Sequence, residues 1–174
     1  MTGPAPQHVV VMGVSGCGKT TVGLVLAAVM GWTFDEGHQY HPPANLAKMS
    51  AHVPLTDDDS WPWLRALADR IAAHARAGES SVLSCSSLKR SYCEVLRTGA
   101  PRVRFLHLAG DKAVLAARLA ARADHFFPPD LLYSQYAALE PLEPDEDGVV
   151  ADVALQPADQ VRPGIERLGL SRGD

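Results

Sequence analysis

The sequence predicts an α/β fold in which helices cover both faces of a parallel β-sheet. Short apolar runs with β-branched residues alternate along the chain with longer stretches of helical periodicity, and this alternation is typical of βαβ units. The chain has 174 residues, which is close to the usual size of one domain. We therefore expect a single domain, residues 1–174, built on one sheet.

The first predicted strand, residues 7–13, is an apolar run that ends in glycine, as expected for a strand buried on both faces. The stretch Lys19–Met30 has helical character, and Gly31 is placed to end it. Later apolar runs predict strands at residues 82–85, 103–108 and 149–155, and the stretches between them predict helices at residues 61–76, 88–98, 111–123 and 158–168. Strands and helices thus alternate along most of the chain.

Two segments interrupt this alternation. Residues 42–59 and 124–144 are richer in proline, histidine and acidic residues than the core elements. Insertions of this kind on an α/β scaffold usually cover a substrate. We expect a substrate flap at about residues 38–59 and a lid at about residues 123–144. A pair of plain surface connections explains the composition equally well.

Charge and composition argue against several classes of function. The net charge of −4 is unsuited to gripping nucleic acid or an anionic membrane through a basic face. The N-terminus does not resemble a signal peptide, and no window approaches the roughly 18 apolar residues of a membrane helix. The three cysteines lack metal or disulfide spacing. We therefore expect a cytoplasmic protein with neither nucleic acid nor membrane as a partner.

The segment "GVSGCGKT", residues 13–20, matches the P-loop pattern at every fixed position. Its glycines let backbone N–H groups point inward and form an anion nest at the positive end of the following helix. Lys19 is expected to reach the β- and γ-phosphates, and the Thr20 hydroxyl to join the Mg²⁺ shell. The predicted nucleotide-binding residues are Gly13, Ser15, Gly16, Cys17, Gly18, Lys19, Thr20 and Thr21. Cys17 holds a variable position of the motif, which favours a packing role for its side chain. For the loop as a whole, the alternative interpretation is a glycine-rich turn that binds no nucleotide.

A P-loop does not name the group that receives the phosphate. Basic residues and histidines lie in and beside the two insertions, namely His38, His41, Lys48, His52, Lys89, Arg90 and His125. Such a set suits a small anionic acceptor that is rich in hydroxyl groups. Each of these residues taken alone is more often a solvated surface residue than a ligand.

Four segments together resemble the gluconate kinase (gluconokinase) family. They are "MGVSGCGKTTVG", "HPPANLAKMSAHVPLTDDDSWPWL", "CSSLKRSYCEVLR" and "HFFPPDLLYSQYAALEPL", in the family's order and spacing from about residue 8 to about residue 156. The resemblance implies a P-loop kinase fold of the nucleoside monophosphate kinase type, with a five-stranded parallel sheet. It also implies ATP-dependent phosphorylation of D-gluconate to 6-phosphogluconate, and a homodimer.

The same resemblance implies roles for individual residues. The P-loop residues would hold ATP and Mg²⁺, and Arg118 and Arg122, which share a helix face, would approach the nucleotide. An exposed helix face is the alternative for these two arginines. The residues assigned to acceptor binding are His41, Lys48, Ser86, Lys89, Arg90, His125 and Gln135, and Asn45 and Met49 complete the flap.

Four positions depart from the family's pattern: His38, Ser60, Cys93 and Asp124. His38 stands where the family has an aspartate that orients the acceptor hydroxyl and takes up its proton. An imidazole accepts a proton but does not replace the negative charge. Asp35 and Glu36 both lie near His38, and in a strand-like segment residues two apart lie on the same side. Glu36 is therefore the better substitute than Asp35 for the missing aspartate. The predicted catalytic residues are therefore Lys19, His38 and Glu36.

These departures leave three hypotheses for the function. The first is a working gluconate kinase in which His38 is an altered base. The second is a related small-molecule kinase with another acceptor, because the changes cluster in acceptor-facing segments. The third is a nucleotide-binding protein that has lost phosphoryl transfer. The intact Lys19 and Thr20 favour continued phosphate handling.

Overall fold

Five parallel strands form one sheet in the computed structural model, which describes residues 3–121 and 129–172, except for the side chain of Pro129. The strands are β1 (His8–Met12), β2 (Thr33–Glu36), β3 (Ser81–Ser84), β4 (Val103–Ala109) and β5 (Gly148–Asp152). Their order across the sheet is β2-β3-β1-β4-β5. The predicted α/β class and five-stranded parallel sheet are confirmed.

The helices in the described residues lie between and beside these strands. They are α1 (Lys19–Met30), α2 (Pro43–Ser50), α3 (Asp57–Arg76), α4 (Arg90–Arg97), α5 (Lys112–Ala121), α6 (Pro129–Ala138) and α7 (Pro157–Leu168), and a short 3-10 helix covers Gly37–Tyr40. Helices α2 and α6 lie inside the predicted flap and lid, for which no helix was predicted. Each begins at a proline, in a segment whose proline and histidine content indicated an insertion.

Helix α3 begins four residues earlier than predicted. The Thr56 hydroxyl accepts from the Asp59 N–H at 3.2 Å, and the Asp59 carboxylate accepts from the Thr56 N–H at 2.9 Å. This capping box satisfies two N–H groups that a helix start would otherwise leave unpaired. The acidic run at residues 57–59 therefore forms the first turn of α3.

Strand β1 is the centre of the sheet, with β3 on one side and β4 on the other, and all of its residues are buried. Val9 and Val11 pack on one face with residues of α1 and α7, whereas Val10 and Met12 pack on the other face with residues of α3 and α4. This arrangement confirms the predicted strand with two buried faces. It also places two helical layers around the sheet.

The carboxyl ends of β1, β2 and β3 meet at one edge of the sheet, because all strands are parallel. The P-loop follows β1, the 3-10 helix follows β2, and the segment 85–89 follows β3. Open α/β sheets bind their ligands at this kind of edge. The described residues contain no helix that is long and apolar enough to cross a membrane.

Candidate active site

The P-loop joins β1 to α1 in a conformation that requires glycine. Gly13 has φ +146°, and a Cβ atom there would lie 2.8 Å from the Leu108 carbonyl oxygen. Gly18 precedes α1 with φ 92°, and no side chain caps the helix. The first N–H groups of α1 are therefore left for an anion, as expected for a phosphate-binding loop.

Two groups of the loop bond to the protein itself. The Lys19 Nζ donates to the Val14 carbonyl oxygen at 3.1 Å. The Ser15 N–H donates to the Gln135 Oε1 of α6 at 2.7 Å. The Cys17 side chain is buried in the core, which agrees with a packing role and leaves only its backbone to face a phosphate.

Glu36 ends β2 and contacts the P-loop directly. Its Oε2 accepts a hydrogen bond from the Thr20 hydroxyl, and its Oε1 accepts from the Ser84 hydroxyl at 2.7 Å. The expectation that strand alternation places Glu36 and His38 side by side is wrong, because β2 ends at Glu36 and a 3-10 helix begins at Gly37. The His38 N–H instead lies 3.4 Å from Glu36 Oε1. Glu36 is the carboxylate that the fold brings to Thr20.

Gly37 allows β2 and β3 to approach closely at this point. A Cβ atom on Gly37 would lie only 2.1 Å from the Ser84 carbonyl oxygen. The Gly37 N–H donates to the Ser84 hydroxyl at 3.2 Å, and the Trp63 Nε1 donates to the Gly37 carbonyl oxygen at 2.8 Å. These contacts hold the Glu36 carboxylate beside the phosphate loop.

A cavity lies beside the P-loop, between the flap and α6. The described residues that line it include His41, Met49 and Val53 of the flap, Ser60 and Trp63 of α3, Ser86 and Lys89 after β3, and Ser134 and Gln135 of α6. The cavity therefore combines apolar walls with a few polar groups from four parts of the chain. This combination is typical of a small-molecule site.

His41 is the polar residue that the flap contributes to the cavity. Its ring stacks on Trp63 with 4.0 Å between the centroids, and the exposed His38 ring lies edge-on at 5.5 Å. Burial, with a smaller effect of His38, lowers the pKa of His41 to about 4, so the ring is neutral at pH 7. The Asn45 Nδ2 lies 3.2 Å from His41 Nδ1 and donates to it, which puts the ring proton on Nε2. His41 thus offers an N–H donor.

The predicted cations are paired with carboxylates. Lys89 lines the cavity and lies 2.8 Å from Asp57. Lys48 lies 2.6 Å from Asp59, and it is not among the residues that line the cavity. Of these two lysines, only Lys89 lines the cavity in this structure.

Arg90 and Arg118 are both bonded within the protein, and Arg90 is not among the residues that line the cavity. The Arg90 guanidinium forms two bonds to the Asp145 carboxylate, at 3.1 and 2.7 Å, which raises the pKa of Arg90. Arg118 donates to the Val153 carbonyl oxygen at 2.6 Å. The structure therefore does not bring Arg90 to the cavity. The predictions for Arg122 and His125 fall outside the described residues.

Three of the four departures from the family's pattern lie in the described residues, and besides His38 these are Ser60 and Cys93. Ser60 is buried, lines the cavity, and donates to the Thr56 carbonyl oxygen at 3.1 Å. Cys93 is 1% exposed and packs in the core between the sheet, α3 and α4. Burial raises the pKa of the Cys93 thiol to about 12. Only Ser60 therefore changes the wall of the cavity; the position of Asp124 is outside the described residues.

The oxygen atoms of Thr20 and Glu36 suit Mg²⁺. This ion prefers oxygen ligands and is usually held by one or two protein groups together with water and phosphate oxygens. Within the described part of the chain, no cluster of three or more His, Cys, Asp or Glu side chains could hold a metal ion by itself. The pair fits an ion that arrives with a nucleotide.

Comparisons with known proteins agree on one family. A gluconokinase of Gluconobacter oxydans is 49% identical over 144 residues, which are 83% of this chain and 81% of that protein. The crystal structure of a gluconokinase from Sinorhizobium meliloti matches with a TM-score of 0.86 and 45% identity, over 95% of this chain and 93% of that one. An unliganded sugar kinase from Janibacter matches with a TM-score of 0.92 and 47% identity, over 96% of both chains. No family model matches the chain.

Proposed function

This chain belongs to the gluconokinase family, and we propose that it transfers the γ-phosphate of ATP to D-gluconate, giving 6-phosphogluconate. One observation supports this most strongly: the Glu36 carboxylate contacts the phosphate loop at Thr20, and Gln135, which lines the cavity, contacts the same loop at Ser15. A phosphate donor and a small hydroxyl-bearing acceptor can therefore be held side by side. Phosphoryl transfer depends mainly on such positioning and on neutralisation of charge.

The P-loop supplies the charge neutralisation. Lys19 exchanges its bond to the Val14 carbonyl oxygen for the β- and γ-phosphates, and the N–H groups at the start of α1 hold further phosphate oxygens. Mg²⁺, when bound with the nucleotide, neutralises the charge that develops on the transferred group. Thr20 and Glu36 are the residues that would hold it, directly or through its water molecules.

The acceptor hydroxyl loses a proton during the transfer, and the chain has two groups that can take it. Glu36 is anchored by the Ser84 hydroxyl at 2.7 Å. His38 is exposed, whereas Glu36 is partly buried, and neither residue is among those that line the cavity. We assign the main role to Glu36 and a smaller one to His38. The polar groups of His41, Ser86, Lys89 and Gln135 would orient the acceptor.

The remaining assignments extend the proposal beyond the site. We place one kinase domain over the chain, with a flap at about residues 38–59 and a lid at about residues 123–144. We also propose that the enzyme acts in the cytoplasm as a homodimer. These assignments are supported by the family resemblance.

A coupled assay of ADP formation, with and without D-gluconate, tests the activity. We expect gluconate-dependent turnover in the unaltered protein, and Lys19→Met serves as the inactive control. Glu36→Gln should lower kcat by about 10² to 10⁴, the usual cost of losing a general base, whereas His38→Asn should lower it less than tenfold. ATP binding without turnover of gluconate would refute the proposed activity. An equal loss in both variants would instead identify His38 as a necessary base.

A further inference from the structure

Gln135 touches the phosphate loop and the acceptor cavity at once. Its Oε1 accepts from the Ser15 N–H at 2.7 Å, a contact between residues 120 positions apart in the chain. The same side chain lines the cavity, together with Ser86 and Lys89. One carboxamide therefore stands between the places where nucleotide and acceptor bind.

The contact with Ser15 uses a group that phosphate needs. Inward-pointing N–H groups of a P-loop bind phosphate oxygens, and in this structure the carboxamide oxygen of Gln135 takes the place of such an oxygen. Lys19 is likewise bonded within the loop, to the Val14 carbonyl oxygen at 3.1 Å. A nucleotide whose phosphate binds the Ser15 N–H displaces Gln135 from that group.

Displacement leaves the carboxamide at the wall of the acceptor cavity. Its oxygen accepts hydrogen bonds and its NH₂ group donates them, which suits a hydroxyl-rich acceptor. An acceptor that holds Gln135 in turn leaves the Ser15 N–H open to phosphate. A bound acceptor thus spares the nucleotide the displacement of Gln135, and a bound nucleotide leaves the carboxamide free for the acceptor. Such coupling is reciprocal.

We infer that Gln135 is a positioning residue that makes nucleotide binding and acceptor binding cooperative, because its carboxamide caps the Ser15 N–H when no nucleotide is bound. The acceptor side of this inference rests on the proposed function. The nucleotide side rests only on the contact with Ser15.

The nucleotide side is tested without an acceptor, by titrating a non-hydrolysable ATP analogue with Mg²⁺ and measuring the Kd by calorimetry. Gln135→Ala removes the competing oxygen and should tighten binding about fivefold, the equivalent of one net hydrogen bond. Gln135→Glu places a carboxylate there, which accepts more strongly and repels phosphate, and it should weaken binding at least tenfold. Tyr133→Ala, an exposed position on the same helix, is the matched control and should leave the Kd unchanged. Opposite effects of alanine and glutamate are not expected of a merely structural side chain.

The acceptor side is tested by repeating the titration with saturating D-gluconate. In the unaltered protein and in Tyr133→Ala, gluconate should lower the Kd of the analogue at least fivefold, and in Gln135→Ala it should change it less than twofold. A full gluconate effect in Gln135→Ala overturns the inference, and so does unchanged or weaker binding of the analogue alone. The outcome is separable from the proposed function: tighter binding of the analogue alone supports the inference even if gluconate is never phosphorylated.

Discussion

Gly37→Ala is the substitution whose effect on catalysis can be worked out most directly from the structure. The added Cβ would lie 2.1 Å from the Ser84 carbonyl oxygen, whereas real Cβ contacts are essentially never under 3.0 Å. The end of β2 must therefore move away from β3 by about 1 Å. Overpacking of this kind costs about 1 to 3 kcal/mol of folding stability.

The movement also reaches the site. Glu36 precedes Gly37 and is anchored by the Ser84 hydroxyl at 2.7 Å, and the same hydroxyl accepts from the Gly37 N–H at 3.2 Å. A displacement of 1 Å at a positioning group can lower the rate about 10²-fold. We therefore expect Gly37→Ala to lower kcat for gluconate-dependent ADP formation by about two orders of magnitude.

Gly31→Ala is the matched control for this experiment. Gly31 ends α1 with φ 71° and has no atom within 4 Å of an added Cβ, so alanine there costs about 1 to 2 kcal/mol of backbone strain without moving the site. Urea unfolding should show similar losses of stability for the two variants, and only Gly37→Ala should lose activity. If Gly37→Ala keeps kcat within threefold of the unaltered protein, the close approach of β2 to β3 does not position Glu36 for catalysis.

Two further predictions concern stability. Glu146 is 2% exposed, its Oε1 has no hydrogen-bond partner in the described structure, and Arg97 lies 3.7 Å from that atom. Arg97→Met should therefore lower the free energy of unfolding in urea by about 3 to 5 kcal/mol, and adding Glu146→Gln should recover part of that loss. A loss below about 1 kcal/mol would contradict this account. Burial lowers the pKa of His8 and of His41 from 6.5 to about 4, so the unfolded chain binds more protons between these values and stability should fall as the pH falls from about 6.5 to about 4. His8→Asn should flatten that dependence, and an unchanged slope would show that His8 does not contribute.

Local patterns in the sequence were sufficient to predict the α/β class, the central strand and the P-loop. Strand β1 is buried on both faces because it lies between β3 and β4, and the apolar run at residues 7–13 already indicates this. The elements that were not predicted as helices, α2 and α6, lie in segments that their proline, histidine and acidic residues marked as insertions, although each is as long as a helix that was predicted. The start of α3 was missed although its signal, Thr56 followed three residues later by Asp59, is present in the sequence.

Some residues of the site were predictable from the sequence, and others were not. The predictions for Lys19 and Thr20 follow from residue type and from the P-loop motif, whereas Glu36 was predicted from strand alternation, which ends at that residue in the structure. The sequence could not show that Arg90 is paired with Asp145, 55 positions away, or that Gln135 bonds to Ser15. Each of these contacts joins segments that only the order of strands in the sheet brings together. Local periodicity and motifs therefore specified the fold class and the kind of chemistry, whereas long-range packing decided which of the candidate side chains lie at the cavity and at the P-loop.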